Sequence, residues 1–386
     1  MVENSHLLFD ILRSVFHNHK MDNDDKSLVS GDSLKEVMKL ASKHDIAHLV
    51  SIGVLNNGLV DDEIKPQFQQ MIFKAIYRYE KINCEFNRIC SALEKAQIPF
   101  IPLKGSVLRK FYPKPWMRTS CDIDILVHAE DLERAVLCAE EKLQYKELGR
   151  STHDIPMVAP SGLHVEIHFD LVEEKRANKA NLVLSSVWDN VTLSKDSKYQ
   201  YEMSDEFFYF YHLTHMAKHF ETGGCGIRPF IDLWILDRIP ANKDKRDQLL
   251  LQGNLLKFAT NSRNLNQVWF EGKEADELSL RMQEFIFSGG VYGTSENRVA
   301  IHQNKNGGRF RYIMSRVFAS KDKLKRYYPI LEKYPILLPV MQVRRWFMLL
   351  SPHVAKMAKN EIAASTNLDK AKSKEMNVFL NDLGLE

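Results

Sequence analysis

The chain has 386 residues, 53 Lys or Arg against 50 Asp or Glu, a formal net charge of +3, and 44% hydrophobic side chains. That balance is the balance of an ordinary globular protein with core enough for two or three domains, and it neither favours nor excludes a polyanionic partner. The five cysteines, Cys84, Cys90, Cys121, Cys138 and Cys225, form no Cys-x-x-Cys pair, which excludes a zinc ribbon or a disulfide framework and fits a reducing compartment.

The N-terminus lacks a basic-then-apolar signal pattern, and no apolar run approaches the ~20 residues that cross a bilayer; the expected location is the cytoplasm. Leu7, Leu8, Ile11, Leu12 and Val15 recur at helical spacing, so the chain opens with a helix. Met21 to Asp32 reads as a polar loop. Ser33 with Glu36 predicts a capping box, and Leu34, Val37, Met38 and Ala41 follow on one face. His44 to Leu55 predicts a short helix closed by Asn56, Asn57 and Gly58. Pro66 to Ala96 predicts a long amphipathic helix through Phe68, Ile72, Ala75, Tyr79, Ile82, Phe86, Ile89 and Leu93.

A short apolar run, Ile98 to Leu103, then breaks at Lys104-Gly105-Ser106. A helix is expected from Val107 to Tyr112, a loop with Pro113 and Pro115, and a strand from Cys121 to Val127. Residues two apart in a strand share a face, so Asp122 and Asp124 point one way and Ile123, Ile125 and Val127 the other. Two adjacent carboxylates repel unless a cation lies between them, and oxygen ligands suit Mg2+. Glu130, Asp131 and Glu133 fall in the first turn of the next helix, where its dipole favours them, and Leu132, Ala135, Val136, Ala139 and Leu143 form its buried stripe. Thr152 to Ala159 predicts a strand, turned by Pro160-Ser161-Gly162 into another, Leu163 to Leu171. There Glu166, His168 and Asp170 alternate with Val165, Ile167, Phe169 and Leu171. Pairing of this strand beside the first would let Glu166 complete a three-carboxylate metal site.

A Gly-Ser turn, an Asp-x-Asp in an apolar strand and a single acid between apolar residues in a later strand resemble the pattern of the polymerase-β-like nucleotidyltransferase superfamily. The wording LKG, then Arg118, then DIDILV, then VEIH is most similar to its bacterial family of uncharacterised nucleotidyltransferases, over roughly residues 70 to 240. The resemblance implies an α+β fold: a small mixed sheet with flanking helices, followed by a mainly helical C-terminal domain. The expected division is a helical region 1–97, a catalytic core 98–173 and a helical domain 174–386. It implies transfer of a nucleoside monophosphate from a nucleoside triphosphate to a hydroxyl acceptor, with pyrophosphate leaving. The acceptor is open among a small molecule, a protein and a tRNA, and the base preference is open too.

On this reading Asp122, Asp124 and Glu166 are the catalytic and metal-binding residues, with Mg2+ or Mn2+ as cofactor. Lys104, Gly105, Ser106 and Arg118 are the candidate nucleotide-binding residues. Gly105 and Ser106 offer backbone N–H groups at a helix start, and Lys104 and Arg118 offer cations for phosphate or for one of the acids. The gap between Ser106 and Asp122 is longer than in smaller members of the superfamily and holds two prolines, which bears on Arg118 more than on the aspartates. His168, His215 and Arg228 are candidate substrate contacts, and His153 is a weaker one. Arg228 and Asp232 are equally a candidate ion pair. His212, His215 and His219 share a helix face, which reads as a packed or cleft-lining face and, alternatively, as a zinc site. A non-catalytic nucleotide-binding scaffold is the alternative function, although all three acids are present.

Beyond Glu173 the pattern turns helical. Helices are expected over Phe207 to Phe220, Phe230 to Leu236, Leu249 to Phe258 and Ser279 to Phe287, and a long loop over Gly289 to Gly308. Arg309 to Tyr328 is basic, a candidate contact for RNA or an anionic membrane as well as a solvated face. Tyr334 to Leu350 is the most apolar segment, a buried helix, a membrane-surface segment or a partner surface. The tail from Ser365 is polar and expected to be partly mobile.

Overall fold

The computed structural model describes residues 3–23, 26, 29–172, 178–305, 314, 317–321, 324, 325, 328, 330–349 and 370–385. Contacts divide the chain into two compact units. The first comprises Met1–His215 and Ile227–Leu280, the second Met216–Gly226 and Arg281–Glu386.

The first unit opens with helices α1 (Glu3–Phe16), α2 (Gly31–Lys43), α3 (Ala47–Asn57) and the long α4 (Lys65–Lys95). The cap of α2 lies three residues earlier than predicted. Ser30 sits in extended backbone, its side chain accepts from the Ser33 N–H, and the Ser33 hydroxyl closes the box. Gly58, left-handed at φ 66°, ends α3 as the sequence predicts. Residues 24, 25, 27 and 28 of the expected loop lie outside the described residues.

β1 (Phe100–Pro102) follows, then α5 (Lys104–Leu108), β2 (Asp122–Val127), α6 (Leu132–Leu143), β3 (Lys146–Glu147), β4 (Asp154–Val158) and β5 (His164–His168). The strands form one mixed sheet in the order β1-β2-β5-β4-β3. β2 and β5 run parallel; the other pairs are antiparallel. The fold is therefore α+β, as the motifs imply. Period-two alternation divides the sheet's faces. Ile123, Ile125, Val127, Val165 and Ile167 are buried in one cluster with Ile82, Ile89 and Leu93 of α4 and Ala135, Val136 and Ala139 of α6. Each such Ile or Val contributes about 1.5–3 kcal/mol through burial. With that face committed to the core, Asp122, Asp124, Glu166 and His168 are left on the other.

The expected helix at Val107 starts instead at Lys104. Lys104 takes the left-handed conformation, φ 43°, which turns the chain sharply out of β1, and the Ser106 N–H donates back to the Leu103 carbonyl at 3.2 Å. After β5 come α7 (Lys179–Leu184) and a short hairpin of β6 (Val191–Leu193) and β7 (Tyr201–Met203). The hairpin was not legible because its strands are three residues long and none of their residues is buried.

α8 (Asp205–Glu221) carries the boundary between the units, and α9 (Arg228–Leu236), α10 (Lys243–Gln252) and α11 (Leu256–Glu271) complete the first. The single helix expected across Leu249 to Phe258 is two. The chain breaks at Asn254, φ 59°, and the Phe210 ring fills the space a side chain on Gly253 would need, 2.4 Å from its Cβ position.

The second unit contains α12 (Glu277–Ser288, which begins just before the boundary), α13 (Ser295–Lys305), α14 (Ile330–Lys333), α15 (Leu338–Leu349) and α16 (Lys370–Leu383). The expected loop after Gly289 thus contains a helix, α13, and residues 306–308 of it lie outside the described residues. The expected polar tail contains α16, whose Phe379, Leu380 and Leu383 are buried and whose Ser373 donates to the Ala300 carbonyl at 2.7 Å. Residues 365–369 and 386 of it lie outside the described residues, as do 309–313, 315, 316, 322, 323, 326 and 327 of the basic stretch.

One histidine ties stability to pH. His44 is fully buried, and its Nδ1 accepts the Ile227 N–H at 3.3 Å. Burial, reinforced by Lys43, pulls its pKa down to about 4. The unfolded chain takes up this proton first as pH falls, so the stabilisation is complete above pH 6.5 and is lost between 6.5 and 4. The loss amounts to about 3 kcal/mol. Denaturant titrations across that window should show wild type losing more stability than His44→Asn, whose side-chain oxygen can still accept the Ile227 N–H. Equal losses would remove His44 from the acid response.

Candidate active site

Parallel pairing of β2 with β5 brings two of the acids together: Asp124 sits directly opposite Glu166, while Asp122, on the same face, lies opposite His164. Asp124 is 2% exposed. Its Oδ1 accepts from Lys104 Nζ at 2.8 Å and from His168 Nε2 at 3.1 Å, and His168 Nε2 also lies 3.3 Å from Glu166 Oε2. Burial alone would raise the Asp124 carboxyl, but Lys104 and His168 outweigh it and hold the group far below the usual range. Asp122 moves the opposite way, raised by burial and then by the charge of Asp124. His168 loses some basicity to burial but gains more from its bonds to Asp124 and Glu166, and ends raised. Asp124, Glu166 and His168 bring three potential ligand atoms within 4.8 Å of one another. His153, Asp154 and His168 form a second such group, so His168 belongs to both; Asp122 belongs to neither, and the ligand atoms that converge with Asp124 and Glu166 are those of His168.

The residues read as nucleotide-binding sit around this face in different states. Lys104 is the partner of Asp124, the acid-pairing option for that residue. Gly105 is buried, and a side chain there would meet the Ser120 Cβ at 3.1 Å and its Oγ at 3.4 Å. Its missing side chain therefore makes room for the loop entering β2. The Ser106 N–H is used by Leu103, while its buried hydroxyl has no hydrogen-bond partner. Arg118 is 8% exposed and joined to Asp232 of α9 at 2.7 and 3.0 Å, and it also donates to the Thr119 carbonyl. Tyr112 adds a 2.6 Å hydrogen bond to Asp232.

The candidate Arg228–Asp232 pair does not form. Arg228 Nη1 instead meets Asp45 Oδ2 at 2.6 Å and Thr119 Oγ1 at 3.3 Å. Each group takes a partner from another element, and together they clamp α9 to the turn before α3 and to the loop before β2. His212 donates to the Pro229 carbonyl at 2.9 Å, a packing role on the α8 face. His212, His215 and His219 are all described, and they do not bring three ligand atoms together. The zinc reading of that face has no geometric support.

Three residues at or beside the site were missed. Tyr211, the buried neighbour of His212, lies close enough to Lys104 and the three acids for its phenol to be raised, by burial first and then by those carboxylates. Arg109 braces the turn, donating to the Gly105 carbonyl and Ser120 Oγ, both at 3.0 Å. Asp45 gathers Arg228, Arg78 and Thr119. A single sequence carries no signal for these, because each acts across 33 to 183 residues of chain or inside an undistinguished turn.

A family model described as uncharacterised nucleotidyltransferase matches residues 31–271. No curated protein matches. Among solved structures, the chain is similar to the solution structure of the antibiotic-resistance factor ANT(2'')-Ia. That likeness has 11% identity and a TM-score of 0.32, and covers 48% of this chain and 94% of that one.

The Arg118–Asp232–Tyr112 set has a measurable weight. Removing one member of a buried ion pair strands the other charge and costs about 3–5 kcal/mol. Asp232→Ala should lower the denaturant midpoint accordingly, and the Arg118→Met, Asp232→Leu double substitution should recover a large part. A loss below about 1 kcal/mol for Asp232→Ala would mean that water replaces the carboxylate.

Proposed function

The chain belongs to the family of uncharacterised nucleotidyltransferases, and from that premise we propose the reaction in detail. The enzyme moves a nucleoside monophosphate from a nucleoside triphosphate to a hydroxyl acceptor, a small molecule, a protein side chain or a tRNA, with a divalent cation as cofactor. The observation that carries this reading is the register of β2 on β5, which sets Asp124 opposite Glu166 with Asp122 on the same face.

The donor set suits Mg2+ or Mn2+. Three carboxylates offer hard oxygen ligands, a dication would offset the burial and the Asp124 charge that together raise Asp122, and the Ser106 hydroxyl is buried without a partner. Asp122, Asp124 and Glu166 would hold the cation, which when bound neutralises charge on the triphosphate and on the leaving pyrophosphate.

The chain's own groups do the rest. Glu166, whose side chain is 32% exposed, accepts the acceptor's hydroxyl proton as its oxygen attacks the α-phosphorus. The new O–P bond forms as the bond from the α-phosphorus to the bridging oxygen breaks, and pyrophosphate leaves with that oxygen. His168, between Asp124 and Glu166, orients both carboxylates. Lys104, Arg109, Arg118 and Arg228 all act electrostatically on Asp122, so cations flank the strand entry where a triphosphate would lie, three of them held in place by Asp124, Asp232 and Asp45. The Ser106 hydroxyl and the Gly105 turn are assigned to the phosphates, and His215 and Arg228 to the acceptor side. A cytoplasmic setting fits the five free cysteines.

Incubation with each α-labelled triphosphate and a cell extract should label an acceptor in the presence of Mg2+ or Mn2+. Chelation should abolish labelling, and added metal should restore it. Glu166→Gln and Asp124→Asn should each reduce transfer by roughly 10²–10³-fold. Glu166→Gln, at a partly exposed position, should leave the melting temperature nearly unchanged, which separates lost chemistry from lost fold. Undiminished transfer by Glu166→Gln would sink its role. No transfer from any triphosphate would favour the non-catalytic scaffold.

A further inference from the structure

The second unit carries a helix face that the nucleotidyl-transfer reading does not use. Ile336, Val340, Val343 and Phe347 are 86%, 57%, 45% and 69% exposed. Their spacing of four, three and four aligns them along one side of α15 and the turn before it. The opposite side is anchored. Leu337, Leu338 and Met341 pack on Ala319, Leu324 and Leu331. Gln342 Nε2, Arg345 Nη1 and Trp346 Nε1 all donate to the Val317 carbonyl, at 2.9, 3.1 and 2.8 Å, and Gln342 accepts the Ala319 N–H at 3.1 Å. These bonds set the rotation of the helix and leave the apolar stripe outward. Phe318, Ile330 and Tyr334 are also 47–49% exposed.

Charge narrows the occupant. Residues 309–349 hold ten Lys or Arg against two Asp or Glu, a net +8, in a chain whose total is +3. Lys321, Lys333 and Arg344 are exposed. A nucleic acid would use the cations but has no use for a line of aliphatic and phenyl groups. A protein partner would bury the stripe but would have to be strongly acidic as well. An apolar stripe on a short helix in a basic segment is what an interfacial helix presents to lipid. Among the described residues no helix is long and apolar enough to cross a membrane, so the contact is superficial. We infer that α15 and the turn before it form a docking face for an anionic lipid surface.

The test is sedimentation of the full chain with vesicles of phosphatidylcholine alone or mixed with phosphatidylglycerol. The protein should pellet with the anionic vesicles, leave them as salt is raised, and stay in the supernatant with the neutral ones. Val343→Asn with Phe347→Ser should lower partitioning at least about tenfold. Lys333→Ala with Arg344→Ala should lower it by a further factor of ten or more, at about fivefold per charge. All four side chains are exposed, so an unchanged melting curve is expected for both variants. Failure to pellet with anionic vesicles, or variants that pellet like wild type, would overturn the proposal. So would self-association or RNA binding through this face without vesicle binding.

Discussion

The first unit depends on one buried charge. Asp124 lies in the middle of a central strand, almost without exposure, where an isolated carboxylate would be neutral. It stays ionised because Lys104 and His168 both reach its Oδ1. Each partner needs its own piece of fold. Lys104 arrives through a left-handed turn directly after β1, and His168 arrives only because β5 runs parallel to β2 in one particular register. A one-residue slip of β5 would turn Glu166 and His168 into the apolar cluster and take the His168 hydrogen bond from Asp124, leaving Lys104 to hold the buried charge. Core packing on one face and charge pairing on the other therefore select the same register.

A second polar layer holds the entry to that strand. Gly105 gives Ser120 room, Arg109 ties the Gly105 carbonyl to Ser120, and Arg118 is held by Asp232 and Arg228 by Asp45. The N-terminal helices and α9 are thus joined to the loop that delivers Asp122. Sequence reading treated them as neighbours of the catalytic core, whereas the ion pairs make them part of its support. Because these pairs are buried, their value lies less in net stability than in specifying where the loop runs.

Legibility followed the range of the interactions. Elements with a strong period were readable: α4 from its apolar stripe, β2 and β5 from alternation, α3 from its terminal glycine. Short elements were not. β3, β6 and β7 have too few residues to show a period, and α13 lies in a segment whose glycines at both ends suggested only a loop. α10 and α11 looked continuous because apolar residues run on both sides of the left-handed Asn254 that separates them, and the Phe210 ring that requires a glycine at 253 is more than forty residues away.

The same division holds for the candidate site. Local chemistry in the chain determined the acid set, since Asp-x-Asp in an apolar strand and a lone Glu in a second one leave the carboxylates on the face the core does not use. It also determined that a turn with lysine and glycine precedes them. Tertiary structure alone decided which acid faces which and that Lys104 pairs with Asp124. It also decided that Arg118 belongs to Asp232 and that Tyr211, not the neighbouring His212, approaches the acids. Those outcomes depend on strand register and helix placement, which are set by packing between segments far apart in the chain, and local periodicity holds no record of that packing.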